Sequence, residues 1–261
     1  MDTFGCDRPE QRNLVVFGAS GLIGEVITQE LVRRGPGTVT AVGRSREKLG
    51  ALKQQGAYDA GSRVVPIVQD LAEIHAYESL VGTICSNVGE IHGMVYAAGG
   101  WGSSNPGDFL STSTTDLLQQ VQDNLVFPAL LVQAVLRKMV GQVRGSVVII
   151  SSVAGIIGLE NHGLYSGAKA GITGLVRQIA YEFGPLGINI NAVAPGPVDP
   201  GPNARLDPSA VRRIEAMRMR TPSGALATPR EVSTLAVYLL SRDAKHINGQ
   251  TIAVDGGMTV S

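Results

Sequence analysis

The chain has 261 residues, no formal net charge and 44% hydrophobic residues. That length suits one α/β domain with a sizeable core better than two small domains. Balanced charge without a long basic stripe argues against nucleic acid or an anionic membrane as partner, and the arginines over 212–220 read as a solvated helix face. Cys6 and Cys85 share no metal or redox spacing, which fits a reducing cytosol. The stretch 1–13 is polar, with no apolar h-region, and no apolar run reaches membrane-spanning length. The expectation is a soluble cytoplasmic protein.

The first expected strand, 14–17, runs into Gly18-Ala-Ser-Gly-Leu-Ile-Gly24 and a helix over 22–34. Such glycines let a pyrophosphate approach the backbone N–H groups at a helix start, or make a plain β-to-α turn. The second strand, 38–42, ends at Gly43-Arg44-Ser45-Arg46. An acidic side chain at this strand end would bind the ribose 2′-hydroxyl of NAD, whereas Arg44 can pair with a 2′-phosphate. NADP(H) is therefore favoured over NAD(H). Further strands are expected at 63–68, 93–97, 146–151, 189–193 and 251–254, with long helices at 115–140, 165–183 and 229–241. The alternation implies right-handed βαβ units. The fold class is α/β, a single doubly wound Rossmann domain with a seven-stranded parallel sheet and helices on both faces. Residues 1–12 form a polar N-terminal lead and residues 13–261 the domain. The Pro-, Gly-, Asp- and Arg-rich segment 196–221 lies beyond strand carboxyl ends, where α/β sheets bind ligands. It reads as a substrate lid or as a passive surface loop.

Tyr165-Ser-Gly-Ala-Lys169 places Tyr165 and Lys169 on one helical face if the stretch from Gly163 is helical. A nearby ammonium favours the phenolate and lowers the tyrosine pKa, so the hydroxyl can exchange a proton with an alcohol or carbonyl oxygen. Ser152, thirteen residues upstream, can hold the same oxygen. Alone, a Tyr and Lys four apart are most often surface neighbours.

Taken together these motifs resemble the short-chain dehydrogenase/reductase family in its single-domain branch, over residues 13–257. The ordered set is the glycine turn, Asp70-Leu71, Ala97-Ala98-Gly99, Asn124, Ser152, Tyr165 with Lys169, Pro195-Gly196 and Val254-Asp-Gly-Gly257. The resemblance implies a ketoreductase, similar to 3-oxoacyl-(acyl-carrier-protein) reductases. Tyr165 would be the general acid/base and Ser152 would orient the carbonyl. Lys169 would bind the nicotinamide ribose and lower the tyrosine pKa, and Asn124 would hold a relay water. Cofactor contacts are expected from Gly18, Ser20, Gly21, Ile23 and Gly24, and from Arg44 and Ser45. Asp70 and Leu71 would meet the adenine, and Ala97 and Gly99 would follow in the next turn. Pro195, Gly196 and Val198 would surround the nicotinamide, beside Tyr165 and Lys169. The substrate would be a small-molecule or acyl-thioester carbonyl. The family pairs the helices over 115–140 and 165–183 between subunits, which implies a homotetramer or homodimer. Oxidative alcohol dehydrogenation and a non-catalytic nucleotide-binding regulator are the alternatives.

Four departures from the family pattern stand out. Phe17 replaces a threonine and Leu22 a glycine in the turn, and Tyr96-Ala-Ala-Gly99 replaces Asn-Asn-Ala-Gly. An apolar contact between Phe17 and 96–98 is expected where the family has a hydrogen bond. Pro200 stands where a threonine usually meets the carboxamide, so that contact would shift to the Val198 backbone. Pro128 removes the intrahelical donor to the Asn124 carbonyl, which either leaves a tolerated kink or frees the carbonyl for the relay water. His75, His92, His162 and His246 are scattered, so no metal is expected. His162 either touches substrate or sits on an exposed loop, and Trp101 either walls the pocket or plugs the surface. Arg144 is the one basic residue near the expected mouth that could greet an acidic carrier protein.

Overall fold

The computed structural model describes residues 12–35, 37–56, 63–100, 109–142, 144–202, 204 and 207–260. Cys6, Trp101 and most of the N-terminal lead lie outside the described residues. In chain order the elements are β1 Arg12–Phe17, α1 Leu22–Arg33, β2 Gly37–Gly43, α2 Arg46–Gly56, β3 Arg63–Val68, α3 Tyr77–Val88 and β4 Gly93–Tyr96. They continue with α4 Thr114–Val121, α5 Phe127–Met139, β5 Gly145–Ile150, α6 Gly163–Phe183, β6 Ile188–Pro195, α7 Pro208–Arg220, α8 Pro229–Leu239 and β7 Thr251–Val254.

The seven strands form one parallel sheet in the order β3-β2-β1-β4-β5-β6-β7. Strand residues alternate between the two faces, and both faces are covered, so the strands read as near-continuous apolar runs. Val15 and Phe17 of β1 enter a core with Leu80 and Ile84 of α3, Leu131 and Val135 of α5, and Ile172 and Val176 of α6. Leu14 and Val16 enter the opposite core with Ile27 and Leu31 of α1, Leu49 of α2 and Val232 of α8. Pro66 interrupts no central ladder because β3 is an edge strand. The start of α8 is set by a capping box between Thr228 and Glu231, with Pro229 in the first turn.

The strand order reverses between β1 and β4, and this is the crevice where a doubly wound sheet takes its ligand. Two sequence expectations need correction. The helix expected over 115–140 is not continuous: a π-helical turn, Gln122–Val126, separates α4 from α5. The Phe127 N–H donates to the Gln122 carbonyl, five residues back, and Pro128 follows with no N–H to offer Asn124. The widened turn accommodates the proline without a broken helix. Residue 12 also belongs to β1 and not to the polar lead.

Candidate active site

The nucleotide end is built from close backbone packing. Gly18 has φ +86°, and a Cβ there would lie 2.6 Å from the Ala98 nitrogen. Its N–H and that of Ala19 both donate to the Val42 carbonyl at 2.9 Å, which ties the turn to the end of β2. A Cβ on Gly24 would lie 2.2 Å from the Gly18 carbonyl oxygen. Gly24 therefore lets α1 seat against the turn, and Ile23 packs on the core beneath. Gly21 caps α1 without a side-chain hydrogen bond, so no cap side chain occupies the first-turn N–H groups.

A cavity of about 570 Å³ opens over this turn. Gly18, Ser20, Gly21, Arg44, Asp70, Leu71, Ala97 and Gly99 line it. Ile23, Gly24, Ser45, Pro195, Gly196 and Val198 do not, and neither do Tyr165 and Lys169. Ser45 caps α2, its Oγ accepting the Lys48 N–H at 3.3 Å. Asp70 Oδ1 accepts the Ala72 N–H at 3.0 Å, which turns the chain after β3. Gly43, Gln69, Asp123 and Phe127 also line the cavity and were not anticipated. Gly43 has a steric reason: a Cβ would lie 2.6 Å from Ser20 Oγ and 3.1 Å from the Ser20 nitrogen. Its place in a Gly-Arg pair at a strand end was the available signal.

The Phe17 and Tyr96 departures resolve in the core, whereas Leu22 is exposed at the start of α1. Phe17 and Tyr96 are ladder partners in β1 and β4 and share one buried cluster, with Ala98 packed against it. The contact is side chain on side chain, as expected. Burial drives the Tyr96 pKa well above the ordinary phenol value, with Tyr77 and Asp123 adding to it, so this phenol stays neutral.

Across the crevice, Ser152, Tyr165 and Lys169 come together. Ser152 follows β5, and its Oγ accepts the Ala154 N–H at 3.1 Å while bonding to the Tyr165 side chain. Tyr165 and Lys169 share one face of α6 and are 7% and 4% exposed. Lys169 Nζ lies 5.6 Å from the Tyr165 ring centre and donates to the Ile150 carbonyl at 3.2 Å. Burial pushes the ammonium pKa down to about 8 from 10.5. Burial also raises the Tyr165 pKa, and the Ser152 hydrogen bond opposes that rise. Lys169, whose ammonium faces a carbonyl and the ring, does not enter that balance.

Asn124 sits in the π turn, 1% exposed. Its Nδ2 donates to the carbonyls of Gly100 and Gln120, and its Oδ1 accepts the Gly100 N–H, each at 3.1 Å. No hydrogen bond among the described residues joins Asn124 to Lys169. The link to the Tyr165 helix runs through Gln120, whose Oε1 accepts the Tyr165 N–H at 2.8 Å. Gln120 was missed in the sequence, although it lies one helical turn before Asn124.

His162 is buried, not on an exposed loop. Its ring lies 6.0 Å from that of Tyr165, and Nδ1 donates to the Glu160 carbonyl at 2.6 Å. Burial lowers its pKa, Arg220 lowers it further, and the Glu160 bond opposes both. His92 is structural: its Nδ1 accepts the Asn13 N–H at 3.0 Å. In the segment 196–221, Val198 pairs with Ala227 through the Pro197 carbonyl and the Asp199 N–H. That parallel bridge turns the Val198 N–H and carbonyl to the other side. The same segment also contains α7, so it is largely helical where described.

A family model described as enoyl-(acyl carrier protein) reductase matches residues 18–259. A 7α-hydroxysteroid dehydrogenase from Bacteroides fragilis is 32% identical over 264 residues, covering 97% of this chain and 96% of the relative. A 3-oxoacyl-(acyl-carrier-protein) reductase from Bos taurus is 30% identical over 246 residues, covering 94% and 97%. A solved short-chain dehydrogenase/reductase from Mycobacterium ulcerans aligns with TM-score 0.87 at 28% identity, covering 96% of this chain and 90% of that one. With this fold and this match along nearly its whole length, the chain belongs to the short-chain dehydrogenase/reductase family and is an NAD(P)-dependent oxidoreductase.

Proposed function

We propose that the protein reduces a ketone to a secondary alcohol with NADPH, and that Tyr165 donates the proton. The observation that carries this reading is the buried contact of Ser152, Tyr165 and Lys169. A reductase needs a phenol that is still protonated at working pH, and burial keeps Tyr165 in that form. Ser152 holds the carbonyl oxygen beside the phenol. Lys169 places a positive charge within reach as proton density leaves Tyr165. The Asn124 carbonyl, denied a donor by Pro128, holds a relay water toward Lys169.

The crevice fits a dinucleotide. Gly18 and Gly24 leave no room for side chains, and the uncapped start of α1 offers N–H groups to a pyrophosphate. Ser20 and Gly21 would hold the phosphates, with Gly18 beneath, and Asp70 with Leu71 the adenine. Ala97 and Gly99 would flank the ribose, and Lys169 would reach the second ribose. Pro195, Gly196 and the Val198 backbone would frame the nicotinamide. Bound there, the cofactor supplies hydride to the carbonyl carbon. Arg44, exposed on the cavity wall with no acidic residue at Gly43, selects a 2′-phosphate.

The substrate is a small ketone or an acyl-thioester carbonyl. Exposed Leu118 and Val126, on α4 and the π turn, support a homodimer or homotetramer formed through those surfaces. The free Cys85 accords with a reducing, cytoplasmic location, and no helix among the described residues is long and apolar enough to cross a membrane. The test is NADPH oxidation followed across a ketone panel, with NADPH and NADH titrated by fluorescence. The reading predicts turnover of at least one ketone and tighter NADPH. Alcohol oxidation without any ketone reduction, or tighter NADH, would overturn it.

A further inference from the structure

We propose that Gln120 is a positioning residue for proton transfer, acting as a cap supplied from α4 to the first turn of α6. The proposal rests on the reading of Tyr165 as the proton donor.

The first N–H groups of any α-helix have no partner within the helix. They are commonly satisfied by a Ser, Thr, Asp or Asn at the N-cap. In α6 that position is His162, which makes no side-chain cap hydrogen bond. Its Nδ1 is committed to Glu160. The Tyr165 N–H instead reaches Gln120 Oε1 at 2.8 Å, across 45 residues of sequence. The orientation of the amide follows from chemistry: an N–H donor requires the oxygen and not the nitrogen.

Gln120 is 4% exposed, and its Nε2 has no hydrogen-bond partner among the described residues. A buried amide left half-satisfied is costly, and an apolar side chain would fill this place without that cost. Among the described residues, the bond to Tyr165 is therefore the one hydrogen bond of this side chain. The Gln120 backbone carbonyl also accepts Asn124 Nδ2 at 3.1 Å. One residue thus fixes the start of the helix that carries Tyr165 and, one turn on, the side chain of Asn124. Gly163 opens the helix beside this bond with φ +39°, a backbone conformation that favours glycine.

The variants are Gln120→Met, which keeps the length and loses the acceptor, and Gln120→Asn, which withdraws the oxygen by one methylene. Gln120→Glu retains an acceptor oxygen at full reach. Met and Asn variants should lose about tenfold or more in kcat, with KM and NADPH affinity changed less than about twofold. Amide hydrogen exchange at Tyr165 should quicken in both, and Gln120→Glu should recover most of the turnover and the slow exchange. The Asn variant preserves a polar amide and keeps the test available should the Met variant fold poorly. If Tyr165→Phe keeps full turnover, the proton-donor assignment falls and this proposal with it. If Tyr165→Phe is inactive but the Met and Asn variants turn over like the wild type, only this proposal falls. Equal losses in kcat and NADPH affinity would mark a merely structural side chain and also overturn it.

Discussion

Replacing Lys169 with methionine should stabilise the fold near neutral pH while disabling the site. Lys169 is 4% exposed, and burial pushes its pKa from 10.5 down to about 8. Each tenfold change in proton affinity is worth about 1.4 kcal/mol, so holding this ammonium inside the fold costs roughly 3 kcal/mol. The cost is fully present below about pH 8, where folded and unfolded chains both carry the charge. Between about 8 and 10.5 the unfolded chain binds more protons than the folded one, so wild-type stability rises with pH across that window. The methionine variant carries no such cost, but it loses the hydrogen bond to the Ile150 carbonyl. That loss is worth about 1 kcal/mol, or somewhat more if the carbonyl stays unpartnered. The balance is a gain of about 1–2 kcal/mol near pH 6.5, shrinking and then changing sign above about pH 10. Urea unfolding of both proteins at the two pH values reads it directly. A variant destabilised by the same amount at both would refute the idea that Lys169 is held against its solvation.

The remaining predictions concern cofactor and proton. Arg44→Ala should weaken NADPH by about tenfold to a hundredfold and leave NADH nearly unchanged, as fluorescence titration would show. Gly43→Asp should not convert the site to NADH, because its side chain collides with Ser20, and it should weaken both dinucleotides. In the reductive direction kcat should fall as pH rises through about 8, where Lys169 loses its proton. A flat profile between about pH 7 and 9.5 would exclude a role for that charge. A high-resolution structure with NADPH should show an ordered water touching the Asn124 carbonyl and Lys169; neither a water nor a gap there would refute the relay.

Much of the fold was legible because its signals are local. All seven strands coincide with β-branched apolar runs, and Gly18 and Gly24 mark a turn that side chains could not enter. Ser152, Tyr165 and Lys169 were legible from type and order, and the structure joins them across two elements. What spacing could not convey was environment. The rise in the Tyr165 pKa comes from burial, which four-residue spacing does not report. Pro128 warned of a disturbed helix, but whether it kinks or widens depends on packing around Asn124, and the answer was a π turn. Gln120 looked like an ordinary polar helix residue until the fold set it against the Tyr165 N–H. Ser45 was read only for the cofactor, yet its hydroxyl also caps a helix, which depends on where α2 begins.

The central claim, that Tyr165 donates the proton to a carbonyl held in this crevice, is tested most directly by Tyr165→Phe. The variant should be assayed on the best ketone alongside NADPH affinity. The account predicts a loss of kcat of about a hundredfold to ten-thousandfold, with NADPH binding retained. Full turnover by the phenylalanine variant would contradict it.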